Sequence, residues 1–173
     1  MKASLDRILK NNTVMVIDGS MSSVLERMGA DLNNRLWTAS VLSAQPDLVR
    51  QVHLNYLKAG ADCSITCSYQ ASVQGLMEAG YSEAEAESLI IRSVELFMEA
   101  RDQWYREEGE ASGRQYPLCL GSVGPYGAYL ADGSEYTGSY SMDREKLRSF
   151  HYRRMERVLR GARRKRIYPH GRT

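Results

Sequence analysis

The sequence predicts an α/β protein built on a parallel sheet covered by helices. Three short apolar runs, residues 14–17, 61–66 and 118–121, read as buried strands. Each is bounded by Gly, Asp or Pro and is too short for a helix. Segments with apolar residues at helical spacing separate them. Strands joined by helical crossovers lie parallel, with the helices packed on the sheet.

The first run, Val14-Met15-Val16-Ile17, ends at Asp18-Gly19, a turn. Residues 21–28 form one or two helical turns stopped by Gly29. Pro46 suits a first helical turn, Val49, Val52 and Tyr56 recur at helical spacing, and Gly60 supplies the left-handed residue that ends a helix. After the second strand, a helix over residues 73–79 stops at Gly80. Ser82 with Glu85 has the form of a capping box. It opens the clearest helix, with Ala86, Ile90, Val94, Phe97 and Trp104 on one face and Glu85 and Glu87 in its solvated start.

Residues 107–115 are polar, carry two Gly and read as a loop. Residues 121–141 hold five Gly, four Tyr and one Pro, a stretch of irregular chain that compact domains keep for function or leave disordered. Asp143 opens a last helix towards Leu159, with Leu147, Phe150 and Val158 as its apolar stripe. Three parallel strands leave two open edges. The chain therefore reads as part of something larger, or as a module that self-associates through those edges.

Composition narrows the function classes. With 43% hydrophobic and 25% charged residues over 173 positions, the chain is an ordinary globular domain rather than a disordered or fibrous one. The net charge of +2 hides an asymmetry. Residues 157–173 hold seven basic and no acidic residues, and residues 1–156 carry net −5. The basic pI therefore belongs to a short tail, and the body is mildly acidic. The basic end reads as a solvated tail, and nucleic acid is not expected as a partner. No run approaches the roughly 18 apolar residues of a membrane span, and the N-terminus lacks the apolar centre of a secretory signal. Three cysteines, Cys63, Cys67 and Cys119, follow no disulfide or zinc spacing and read as reduced and packed. These features together imply a cytoplasmic protein.

Loops at the carboxyl ends of parallel strands carry the chemistry of such folds. Here they are Asp18-Gly19-Ser20, Thr66-Cys67-Ser68-Tyr69-Gln70 and the stretch from Gly121 to Gly127. Asp18 is suited to accept hydrogen bonds from an ammonium group, with Gly19 letting a ligand approach the backbone. It is equally suited to cap the next helix. Gly121, Gly124 and Gly127 recur every three residues, which is neither a dinucleotide fingerprint nor a phosphate loop. Tyr126, Tyr129, Tyr136 and Tyr140 are able to stack on a ligand, yet packing is the expected role of most of them.

Three blocks in order carry a resemblance. Residues 16–26, from Val16-Ile17-Asp18-Gly19-Ser20-Met21, form the first. The second runs from Pro46-Asp47-Leu48-Val49 through His53 and Tyr56-Leu57-Lys58-Ala59-Gly60-Ala61-Asp62 to Thr66-Cys67-Ser68-Tyr69-Gln70-Ala71-Ser72. The third is Gly121-Ser122-Val123-Gly124-Pro125-Tyr126-Gly127 with Asp132-Gly133-Ser134-Glu135-Tyr136. Together they resemble the homocysteine S-methyltransferase family over about residues 10–156, most closely the bacterial type that uses S-methylmethionine.

The resemblance implies the first three βα units of a (β/α)8 TIM-type barrel, truncated, with residues 157–173 as an unrelated tail. It implies methyl transfer from S-methylmethionine or S-adenosylmethionine to homocysteine, giving methionine. The family uses zinc held by three thiolates on later strands. Cys63, Cys67 and Cys119 do not match those ligand positions, so no metal role passes to them and the chain as written is expected to be inactive. Asp18 and Gly19 match the homocysteine-binding strand end. Gln70, with Thr66 and Ser68, matches a pocket-lining position on the second strand, and Tyr126 a position on the donor side.

Overall fold

The computed structural model describes residues 5–11 and 14–164. Helices α1 (Leu5–Asn11), α2 (Met21–Arg27), α3 (Thr38–Ala44) and α4 (Pro46–Lys58) precede strand β1 (Cys63–Ile65). Helices α5 (Val73–Glu78) and α6 (Glu83–Trp104) follow, and α6 runs on into a π-helical turn (Tyr105–Gly109). Strand β2 (Leu118–Leu120) leads into α7 (Tyr126–Leu130), α8 (Ser134–Thr137) and α9 (Arg144–Arg164).

Strands β1 and β2 pair in parallel, with Cys63 opposite Leu118, Ser64 opposite Cys119 and Ile65 opposite Leu120. The first apolar run falls short of the strand expected of it. It joins the sheet through a single parallel bridge, Ile17 to Cys63. The physical reason is one-sided support. Val16 exchanges hydrogen bonds with Asp62 and Cys63, but Val14, Val16 and Ile17 are all exposed, and no described strand lies on their far side.

Helix α6 is the hub of the helical layer, with α4 and α9 packed against it. Its predicted face is buried as expected, with Ala86, Ile90 and Phe97 fully covered and Val94 and Trp104 nearly so. The capping box at Ser82 and Glu85 is present in both directions. Gly60 adopts φ +113° at the end of α4, a conformation costly for any residue with a Cβ.

Five elements escaped the sequence. Helices α1 and α3 have no strong period. The segment read as a loop from residue 107 begins instead as the π-helical turn, which carries Trp104 and Tyr105 into edge-to-face contact and lets Gly109 lie under the Trp104 ring. The loop 121–141 is not irregular throughout; it folds into α7 and α8 over an aromatic cluster of Tyr126, Tyr129, Tyr140 and Phe150, leaving Tyr136 at 89% exposure.

The division expected between residues 156 and 157 falls inside α9. Arg157 bonds Glu87 at 2.5 Å, and Gly161 packs on Val94. Glu87 is therefore an ion-pair partner of Arg153 and Arg157 rather than a merely solvated residue, and those guanidinium groups hold its carboxyl below the usual range. Residues 165–173, the rest of the basic stretch, lie outside the described residues. Among the described residues no helix is long and apolar enough to cross a membrane.

Candidate functional site

The three strand ends meet on one side of the sheet, and the first of them presents Asp18. Two roles were open to this carboxylate, and the structure separates them. Ser20 caps α2, its hydroxyl accepting from the Ser23 N–H at 3.2 Å. Asp18 instead turns to the second strand. The Ile65 N–H lies 3.1 Å from both of its oxygens, and the Ser64 hydroxyl donates to Oδ2. A carboxylate offers about four acceptor directions and three are taken, so about one remains. Burial pushes the Asp18 carboxyl up, against the hydrogen bonds from Ser64 and Ile65. Beside it, Gly19 is exposed and faces the Tyr56 ring, whose hydroxyl donates to the Ser20 carbonyl at 3.0 Å. A Cβ on Gly19 would come within 2.9 Å of that hydroxyl.

The second and third strand ends are knitted to each other. Thr66 and Ser68 are buried, and their hydroxyls lie 2.8 Å apart. The Ser122 N–H donates to Thr66 Oγ1 at 2.9 Å, and Ser68 Oγ donates to the Ser122 carbonyl at 2.7 Å. Both hydroxyls thus hold the third loop and are not turned to open space. Gly124 completes the junction, since a Cβ there would lie 2.5 Å from the Tyr69 carbonyl oxygen.

Arg154 of α9 reaches into this junction at 2% exposure. Its guanidinium donates to the carbonyls of Ala71, Gly124, Ser68 and Tyr69 at 2.5–3.2 Å and lies over the Phe150 ring. Burial lowers its pKa to about 10, so it stays charged at neutral pH. The sequence signal for it was available: Arg154 sits midway between Phe150 and Val158 on the apolar stripe of α9. A cation at such a position is either an error of pattern or a buried clamp.

Gln70 and Tyr126 each have surroundings of their own. Gln70 lines a cleft of about 160 Å³ between the Arg35 loop, α5 and α7, together with Glu78 and Tyr129, and its Oε1 is buried without a partner. The lining of that cleft does not include Asp18 or Gly19. Tyr126 packs edge-on against Phe150 at 5.0 Å and Tyr140 at 5.4 Å.

The three thiols do not suit a metal. Cys63 donates to the Val16 carbonyl and Cys67 to the Thr38 carbonyl, while Cys119 packs on the α4–α6 cluster. Burial raises all three, Cys67 to about 12 and Cys119 to about 11, which opposes the thiolate a metal needs. Among the described residues no group of three or more His, Cys, Asp or Glu is placed to hold an ion.

Fold and site together define a parallel α/β domain with the Asp18 carboxyl held beside the carboxyl end of β1. Comparison with known proteins makes this specific. The family described as Homocysteine S-methyltransferase matches residues 15–164. Homocysteine S-methyltransferase YbgG of Bacillus subtilis is 46% identical over 155 residues, covering 90% of this chain and 49% of that protein. Selenocysteine methyltransferase of Astragalus bisulcatus is 48% identical over 153 residues, covering 82% of this chain and 45% of that protein. The crystal structure of the homocysteine methyltransferase MmuM from Escherichia coli, metallated form, superposes with a TM-score of 0.84 at 44% identity, covering 91% of this chain and 54% of the other. The chain belongs to the homocysteine S-methyltransferase family. It spans about half the length of the curated relatives it matches.

Proposed function

We propose that this chain forms the amino-acid-binding part of a cytoplasmic homocysteine S-methyltransferase, built as the first three βα units of a (β/α)8 barrel. The observation that carries this reading is Asp18, released from helix capping and held by Ser64 and Ile65 with one acceptor direction to spare. On this reading Asp18 binds the homocysteine ammonium and the Gly19 backbone lies against the amino acid. Thr66 and Ser68 fix the loops on either side, while Gln70 and Tyr126 shape the walls beyond them.

The reaction moves a methyl group from a sulfonium donor, S-methylmethionine or S-adenosylmethionine. The homocysteine sulfur forms the new S–C bond and gives up its proton, and the old S–C bond breaks with its electron pair returning to the donor sulfur. Fixing the acceptor's amino-acid end turns an encounter into an oriented displacement. The relatives' metal chemistry is not routed through this chain's own thiols, because Cys63 and Cys67 are buried and hydrogen-bonded to carbonyls and burial raises the pKa of all three.

The test is equilibrium binding of L-homocysteine to the purified chain beside a turnover assay with S-methylmethionine and zinc. Binding that depends on Asp18, with turnover negligible, is the expected result. Failure to bind homocysteine, or rates like those of a complete enzyme, would sink this reading.

A further inference from the structure

Asp18 does not stand alone behind the site. His53, on the inner face of α4, is fully buried, and its Nδ1 lies 2.9 Å from Ser64 Oγ, itself fully buried on β1. Ser64 in turn donates to Asp18 Oδ2. A hydroxyl has one proton. With Asp18 ionised, Ser64 spends that proton on the carboxylate and has only lone pairs left for the imidazole. His53 must then be the donor, so its proton sits on Nδ1. Its Nε2 is left as a bare acceptor, buried and without a partner. The ring also packs edge-to-face with Phe97, with centroids 5.4 Å apart.

We infer that His53 is a positioning residue: as the neutral Nδ1–H tautomer it donates to Ser64, which donates to Asp18, and this buried relay from α4 fixes the carboxylate for an ammonium ligand. The inference rests on the ammonium-binding role given to Asp18 above. Packing alone gives no account of the histidine. An aliphatic side chain would fill the space against Phe97 without stranding a ring nitrogen, and a stranded acceptor costs free energy. What the imidazole adds is one directed donor at the back of Ser64. That donor keeps the hydroxyl from rotating away from Asp18, and hydrogen bonds in series polarise one another in a low-dielectric interior. Burial also lowers the imidazole pKa to about 3, so it stays neutral and puts no second charge behind the carboxylate.

The experiment uses the whole chain and has two arms. In the first, imidazole nitrogen NMR without ligand is expected to show His53 as the Nδ1–H tautomer. An Nε2–H tautomer, or an imidazolium at neutral pH, overturns the relay. The second arm measures affinity for L-homocysteine and for 4-mercaptobutanoate, which lacks the ammonium group. His53→Leu is expected to weaken L-homocysteine about tenfold and to leave 4-mercaptobutanoate within about twofold. His53→Asn, whose amide N–H falls near the position of Nδ1, is expected to restore most of the loss. Equal losses for both probes overturn the inference, since the ring would then be filling space only. If the wild-type chain holds the two probes equally, the ammonium-binding role of Asp18 falls instead, and the tautomer alone decides the relay.

Discussion

The first strand end and the other two are held by different means. Strands β1 and β2 share a continuous register, their loops are cross-linked through Thr66, Ser68 and Ser122, and Arg154 ties four of their carbonyls together from behind. The run carrying Asp18 has one bridge to Cys63 and the few hydrogen bonds around Val16 and Asp62. Asp18 is placed by its backbone N–H, which donates to the Cys63 carbonyl at 3.2 Å, and by its carboxylate, gripped by Ser64 and Ile65. Changes in the second and third loops should therefore read out as lost stability, whereas changes at the first should read out as lost ligand.

Arg154→Met tests the rigid side and has the largest expected effect. It removes a buried cation and leaves four carbonyls short of a donor in a junction sealed from water. A loss of about 3 kcal/mol is expected, visible as a shifted midpoint in urea unfolding. An unchanged midpoint would mean that the loops hold each other without α9. On the other side, Asp18→Asn is expected to leave unfolding nearly untouched while weakening L-homocysteine by about thirtyfold, roughly 2 kcal/mol. Should Asp18→Asn unfold the chain and spare the ligand, the two strand ends would have exchanged roles.

The sequence revealed more of the supports than of the connections. Helix α6 was legible because its apolar positions keep one period for six turns and its capping box is local. The cross-links were not legible, because each joins residues far apart in sequence. Ser68 to Ser122 spans 54 positions and Arg154 to Ser68 spans 86. Residue type placed Asp18 at a strand end but left its use open between cap and ligand; that the cap is taken by the neighbouring Ser20 is not visible in residue type. The thin first strand was hidden for the opposite reason. Apolar, β-branched residues announce a strand, but pairing needs a partner on each side, and composition says nothing about partners.

The acid response separates the regions further. His53 has its pKa lowered from 6.5 to about 3 by burial, so the unfolded chain takes up its proton first. The stability this gives is present above pH 6.5 and is lost progressively as pH falls towards 3. His53→Asn is expected to flatten that part of an unfolding profile. Asp18 acts in the reverse sense. Its carboxyl is raised, so the small stability gained from its neutral form is present at low pH and lost as pH rises through its folded value. A profile identical in wild type and His53→Asn would place the acid sensitivity elsewhere.

The smallest effect is expected where the sheet faces outward. Ser64 and Cys119 turn to the helices, while Ile17 at 49% and Ile65 at 40% exposure lie uncovered beside the strand ends. Hydrophobic burial is worth about 25 cal/mol per Å², so an isoleucine already half in water contributes little to folding and more to any surface that comes to cover it. Ile65→Thr is therefore expected to change unfolding by at most about 0.5 kcal/mol. Sedimentation velocity over a concentration series tells more than stability does here. If the chain self-associates through this face, Ile65→Thr shifts the distribution towards monomer. If the distribution does not move, the open face is not the surface through which copies meet, and the weak hold on the first strand is a property of the single chain.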